Sequence, residues 1–123
     1  LNSDLFDILI ACCTEKLNGV EIKWHDKKSL CTVLCSNGYP DNFKKNVLIK
    51  DINKIVLNKN DYCYHASTNE DQGKIYAVGG RVLNFVSLSD DFLKSRSKTH
   101  QLIKSLNWDG GFFRKDIGHK VIN

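Results

Sequence analysis

The stretch Val78-Gly79-Gly80-Arg81-Val82-Leu83 constrains this chain more than any other. Two adjacent glycines end one apolar run and an arginine opens the next. Each glycine costs backbone entropy and brings no side chain to pack, so a sheet interior has no use for the pair. It predicts a tight bend, a bulge, or a place where backbone approaches another group closely. An arginine fixed directly after such a bend can present its planar fork to a carboxylate or phosphate. The plainer reading is a hairpin corner with a solvated arginine.

At 123 residues, with 41% apolar and 26% charged side chains, the composition is that of one ordinary globular domain. The net charge of +4 comes from 15 Lys and 3 Arg, with the lysines mostly scattered singly. That pattern suits a solvated surface and argues against a nucleic-acid stripe, which clusters Arg and aromatics on one face. No apolar run reaches the roughly 20 residues that span a bilayer, and no secretory leader pattern is present. The first residue is Leu rather than Met, which predicts a piece of something longer. Five cysteines, Cys12, Cys13, Cys31, Cys35 and Cys63, cannot all pair. Cys31 and Cys35 fall four steps apart on one strand, about 13 Å, too far to share a zinc. The expectation is buried, reduced thiols packing as small apolar residues in a cytoplasmic protein.

Ser3 reads as an N-cap, with Phe6, Ile10, Cys13 and Leu17 recurring at helical spacing until Asn18-Gly19 closes the helix in the left-handed region. Leu5, Leu9 and Cys12 widen its apolar sector beyond what one contact surface covers. Val20 to Trp24 alternates as a short strand. Leu30–Cys35 and Val47–Ile49 are further strands, while Asp51–Ile55 is too short to assign. Between them Ser36-Asn37-Gly38-Tyr39-Pro40-Asp41 is a dense turn, stiffened by the only proline. Tyr62–Ala66, Lys74–Val78 and Arg81–Leu88 read as antiparallel strands, the first two joined through a polar turn at Asn69–Gly73. Ser89-Asp90-Asp91 caps a helix of about 16 residues with Phe92, Arg96, His100 and Ile103 along one side, and Phe112-Phe113 opens a last strand.

Catalytic motifs are missing: no nucleophile triad spacing, no Gly-x-Gly-x-x-Gly turn and no phosphate loop followed by Lys-Ser or Lys-Thr. The histidines are isolated; His65 reads as a core or rim residue, and His25 and His119 as surface residues. Three glycine-bearing turns remain, and backbone amides in such turns can cradle anions. They contain Gly38, Tyr39 and Pro40; Gly79, Gly80 and Arg81; and Arg114 and Lys115. Ordinary turns with exposed bases are the competing account.

Taken in order, Ser36-Asn37-Gly38-Tyr39-Pro40, Tyr64-His65-Ala66-Ser67-Thr68, Gly79-Gly80-Arg81-Val82-Leu83 and Phe113-Arg114-Lys115-Asp116-Ile117-Gly118 resemble the C-terminal region of the phosphoribosylamine–glycine ligase family. The likeness covers essentially the whole chain. Asn37 and Ser67 stand where the family usually has Gly, and Ala77-Val78 where Thr-Asn is common. The resemblance implies an α+β fold. Residues 1–19 would be the last helix of an ATP-grasp region, 20–28 a linker with a short strand, and 29–123 a small β-rich C-terminal domain, antiparallel and barrel-sandwich-like, with one long helix. It also implies a ligase joining glycine to 5-phosphoribosylamine in purine synthesis through glycyl phosphate, with ATP and Mg2+ bound upstream and neither bound by this fragment. Gly38, Tyr39, Pro40, Gly79, Gly80, Arg81, Arg114 and Lys115 would line the substrate side, with no catalytic or metal-binding residue in this stretch, which would be inactive alone. The partners implied are the N-terminal and ATP-grasp domains, against which the first helix would pack; alone, that helix would promote association. No nucleic acid and no membrane is implied. The alternative is a stand-alone β-rich binding module for an acidic partner.

Overall fold

The computed structural model describes residues 1–122. It is α+β, with two antiparallel sheets and two helices. Strand β1 (Lys28–Ser36) and strand β6 (Arg81–Ser89) form the central ladder, flanked by β3 (Asp61–His65) and the short β7 (Gly111–Phe112), in the order β3-β6-β1-β7. A second sheet has the order β2-β5-β4, from β2 (Val47–Leu48), β4 (Thr68–Asp71) and β5 (Lys74–Ala77).

Alternation along β1 decides which side is inside. Leu30, Thr32, Leu34 and Ser36 are buried, while Cys31, Val33 and Cys35 point the other way. Helix α2 (Phe92–Ser105) covers the inner face with Ser95, Thr99, Leu102 and Ile103, followed by Leu106. This is a different stripe from the Phe92–Arg96–His100–Ile103 line read from the sequence; only Ile103 is common to both. The reason is polar pairing: Thr99 Oγ1 lies 2.9 Å from Thr32 Oγ1, and Ser95 Oγ donates to the Lys28 carbonyl at 2.8 Å. The core continues through Leu34, Leu83, Phe85 and Val82 to Ile49 and Ala77 of the second sheet region. Trp108 ties the two sheets together, its indole N–H donating to the Leu48 carbonyl at 3.0 Å. Asp61, a buried carboxylate, accepts from Ser87 Oγ and from Asn58 Nδ2, which hold it below the usual carboxylate range against the opposing cost of burial.

Several expectations are corrected. Helix α1 is Leu5–Cys13, with Asp4 rather than Ser3 as its N-cap: the Asp4 carboxylate accepts from the Phe6 N–H at 2.7 Å. Ser3 instead accepts from the Lys23 N–H at 2.7 Å. The helix stops before Leu17 because Glu15 is left-handed (φ 58°), with Glu15 N–H donating to Cys12 O and Lys16 N–H to Ala11 O. That pair of bonds closes a helix end, so Gly19 is not the cap; residues Leu17–Gly19 form a separate 3-10 turn. Val20–Trp24 makes no strand: its bonds go to the Asn2–Ser3 segment and to Leu17 rather than to a partner strand, the Lys23 carbonyl accepting from the amides of Asn2 and Ser3. The Asn69–Gly73 turn is mostly β4, paired with β5 around Gln72-Gly73, both at positive φ as a two-residue hairpin loop requires. The cysteines are free but not buried: Cys12, Cys13 and Cys31 are exposed, Cys35 and Cys63 half-buried. Cys31 and Cys35 fall on the uncovered side of β1, where alternation puts them.

Leu5, Phe6, Leu9 and Ile10 of α1 are exposed, Phe6 at 67%. Among the described residues no helix is long and apolar enough to cross a membrane.

Two stability predictions arise here. Thr99→Val should cost about 1–3 kcal/mol by orphaning the buried Thr32 hydroxyl, and adding Thr32→Val should restore most of that loss. Urea unfolding of both variants measures it, and a double variant weaker than the single would contradict it. His100 packs against Phe113 with ring centroids 4.9 Å apart, and its Nε2 is buried without a partner among the described residues. Burial first, then Arg96, Lys104 and Lys115, push its pKa below the ordinary value of 6.5. The unfolded chain therefore takes up this proton more readily, so stability falls as pH drops below that value. The urea midpoint should decline between about pH 7.5 and about pH 5.5, and His100→Phe should flatten the decline.

Candidate functional site

The C-terminal end of β1 is the meeting point. Up to Leu34↔Leu83 the β1–β6 register is regular, but Cys35 then pairs with Arg81, leaving Val82 as an extra residue. This bulge lets Val82 and Leu83, consecutive in sequence, both enter the core with no exposure. It also brings Arg81 directly across from Cys35, on the face of the sheet that α2 does not cover. Arg81 is exposed, and among the described residues it forms no salt bridge. Its charge is felt by Cys35, whose thiol burial raises and Arg81 pulls back down.

Gly79 and Gly80 are bound to the same strand end. The Ser36 N–H donates to the Gly80 carbonyl and Ser36 Oγ to the Gly79 carbonyl, each at 2.8 Å. A Cβ on Gly80 would lie 2.0 Å from Cδ2 of Tyr39, so the glycine is the floor on which the Tyr39 ring rests. A Cβ on Gly79 would meet the Ser67 side chain at 2.6 Å. The close approach read from Gly-Gly is thus made by the chain's own Tyr39 and Ser67. Gly38 has φ +89°, and a Cβ there would fall 1.9 Å from the Asn42 carbonyl oxygen. No other residue fits that turn. The Tyr39–Pro40 peptide is cis.

Tyr39, Pro40 and Arg114 line one cleft of about 430 Å³ together with Cys31, Val33, Cys35, Phe112 and Ile117. Its lining is predominantly apolar. Arg114 does not offer a free fork there, because Nε and Nη2 both donate to the Asp116 carboxylate, at 3.0 and 2.5 Å. Gly38 borders a separate, more polar depression with Asn37, Asn42, Lys44 and Asp109. Lys115 lies apart, beside Lys104, Trp108 and Phe113 on the α2 side. Of the eight sequence-singled residues, seven therefore lie on turns joined at the end of β1, and Lys115 opens on another surface. Sequence reasoning missed Ser36, which bonds both glycines, and Asn37, whose Nδ2 donates to the Asp109 carbonyl at 2.7 Å and ties this loop to the last turn. The Val82-Leu83 pair, two apolar residues where alternation predicts one, was the readable sign of the bulge.

Gly80→Ala should displace the Tyr39 ring and destabilise the domain by about 1–3 kcal/mol, the usual cost of overpacking. Adding Tyr39→Ala should relieve part of it. Denaturant titration of the single and double variants decides; additive losses would show that the two residues do not collide.

The family described as "Phosphoribosylglycinamide synthetase, C domain" matches residues 29–120. A phosphoribosylamine–glycine ligase from Arabidopsis thaliana, described as chloroplastic, is 35% identical over 124 residues, 99% of this chain and 23% of that protein. The Vibrio parahaemolyticus ligase is 34% identical over 99% of this chain and 28% of its own length. The chain thus spans about a quarter of the length of these relatives. In structure it is similar to phosphoribosylamine–glycine ligase from Thermotoga maritima, with a TM-score of 0.66 at 24% identity, covering 89% of this chain and 27% of the other. With its central ladder, its turns and three quarters of its length inside the family match, this chain belongs to the phosphoribosylglycinamide synthetase C-domain family.

Proposed function

We propose that the chain acts as the C-terminal domain of an ATP-dependent ligase that joins glycine to 5-phosphoribosylamine in purine synthesis, closing the substrate side and inactive alone. The family match over residues 29–120 carries the reading, and the relatives' names supply the activity. It favours the ligase over a stand-alone binding module. Residues 1–19 are then the last helix of the ATP-grasp region, and the exposed Leu5, Phe6, Leu9 and Ile10 are the side that packs on the rest of it. In this reading 20–28 is the linker and 29–123 the C-terminal domain. The free thiols are compatible with a reducing compartment such as the cytoplasm.

The reaction has two steps. A glycine carboxylate oxygen takes the γ-phosphoryl group of ATP, releasing ADP and forming glycyl phosphate; the amine of phosphoribosylamine then attacks the acyl carbon and phosphate leaves. Positioning and charge neutralisation dominate such chemistry. ATP would supply the phosphoryl group, with Mg2+ neutralising its charge. In this reading the metal's ligands belong to the rest of the ligase.

What this domain adds is a cation on a fixed stretch of backbone. Arg81 is held by the bulge, has no carboxylate partner among the described residues, and faces the uncovered side of the sheet next to the Gly38–Pro40 turn. It is the better candidate for the substrate's phosphate or carboxylate; Arg114 would first have to leave Asp116. The Gly38 and Gly79-Gly80 turns, packed by the chain's own Asn42, Ser67 and Tyr39, would shape the edge of that site, with Tyr39 and Pro40 as its wall.

Arg81→Ala in the full-length ligase should lower kcat/KM by about 10- to 150-fold, the loss of one charge-assisted contact of about 1.5–3 kcal/mol. Unchanged kcat/KM with an unchanged melting temperature would remove Arg81 from the site.

A further inference from the structure

The face of the four-stranded sheet opposite α2 is uncovered, and its residues form a regular grid. Across the strands, Tyr62, Val86 and Cys31 make one row, Tyr64, Asn84 and Val33 the next, and Arg81, Cys35 and Phe112 the last. Tyr62 and Tyr64 are exposed and stack with ring centroids 6.0 Å apart and planes 6° from parallel. Lys and Arg account for 18 residues of this chain, yet no lysine occupies the grid, and its only charge is Arg81 at one end. A sheet face that stays in water alternates polar residues into such positions. This one carries aromatics and aliphatics, with charge at the margin, as the centre of a protein interface does.

We propose that this face is the surface on which the remaining polypeptide of the ligase docks, an inference that rests on the ligase reading above. Three observations select that occupant. About three quarters of each relative's length lies outside the part matched here, which supplies a tethered partner. The cleft of about 430 Å³ that runs along the outer side of β1, from Cys31 to Cys35, is apolar, and its one arginine is already paired with Asp116, so it fits an inserted aliphatic or aromatic side chain. Finally, a second copy meeting this face with the same face would bring no carboxylate to Arg81, since the grid holds no Asp or Glu. The partner surface is therefore apolar with an acidic group, or the substrate anion, opposite Arg81.

The test uses the full-length protein with Tyr64 replaced by the photo-cross-linker p-benzoylphenylalanine. Irradiation should join position 64 to residues of the same polypeptide upstream of this domain, identified by mass spectrometry. Cys31, exposed here, should react with iodoacetamide about 100-fold more slowly in the native protein than in urea. Cross-links between two copies would overturn the proposal, as would free Cys31 alkylation with no cross-link. Ligase turnover measured on the same sample separates the two readings. Turnover with an open Cys31 sinks the docking surface alone. A shielded Cys31 without turnover in the unmodified protein sinks the ligase reading and leaves the surface standing.

Discussion

The long ladder between β1 and β6 is the interaction on which the rest of this structure depends. Its inner side, through Thr32, Leu34, Leu83 and Phe85, receives α2; its ends hold β3 and β7; its outer side is the apolar grid. A single departure from regular register, at Val82, then decides which residue faces the core and which faces outward. Without it Val82 would lie opposite Cys35 on the outer face and Arg81 would turn inward, since a one-residue slip exchanges the faces of a strand. With it, the core keeps Val82 and the outer face gains a cation.

The turns at the end of β1 are held by backbone rather than by ion pairs. Ser36 bonds both Gly79 and Gly80, Asn37 reaches the last turn, and the Tyr39 ring lies on Gly80. Such contacts are indifferent to salt, so the backbone that carries Arg81 is set by the chain itself.

Much of this was legible in the sequence, for reasons that can be named. The Gly79-Gly80 break, the strands on either side, the 36–41 turn and the second helix all announce themselves through residues with narrow backbone preferences. The bulge announced itself only through Val82-Leu83, two apolar residues where alternation predicts one. The length of α1 was misread because the chain turns at Glu15, a residue with no special liking for the left-handed region, while Asn18-Gly19 merely looked the part. Val20–Trp24 has the alternation of a strand but no partner strand among the described residues. The thiols were expected inside because cysteine usually is; Cys31 and Cys35 instead occupy the outer rows of the grid. For the candidate site, sequence order named the turns, but only the fold could show that Arg114 is occupied and Arg81 is not.

Trp108 gives the domain an optical asymmetry. One of its two tryptophans, Trp24, is 71% exposed on the segment after α1; the other packs over Gly110 and Gly111 while its N–H is committed to Leu48 in the other sheet. An indole already in water changes little when the chain unfolds, whereas one pinned between two sheets changes greatly. The intrinsic fluorescence of this protein is consequently a local signal of whether the small sheet is closed against the large one.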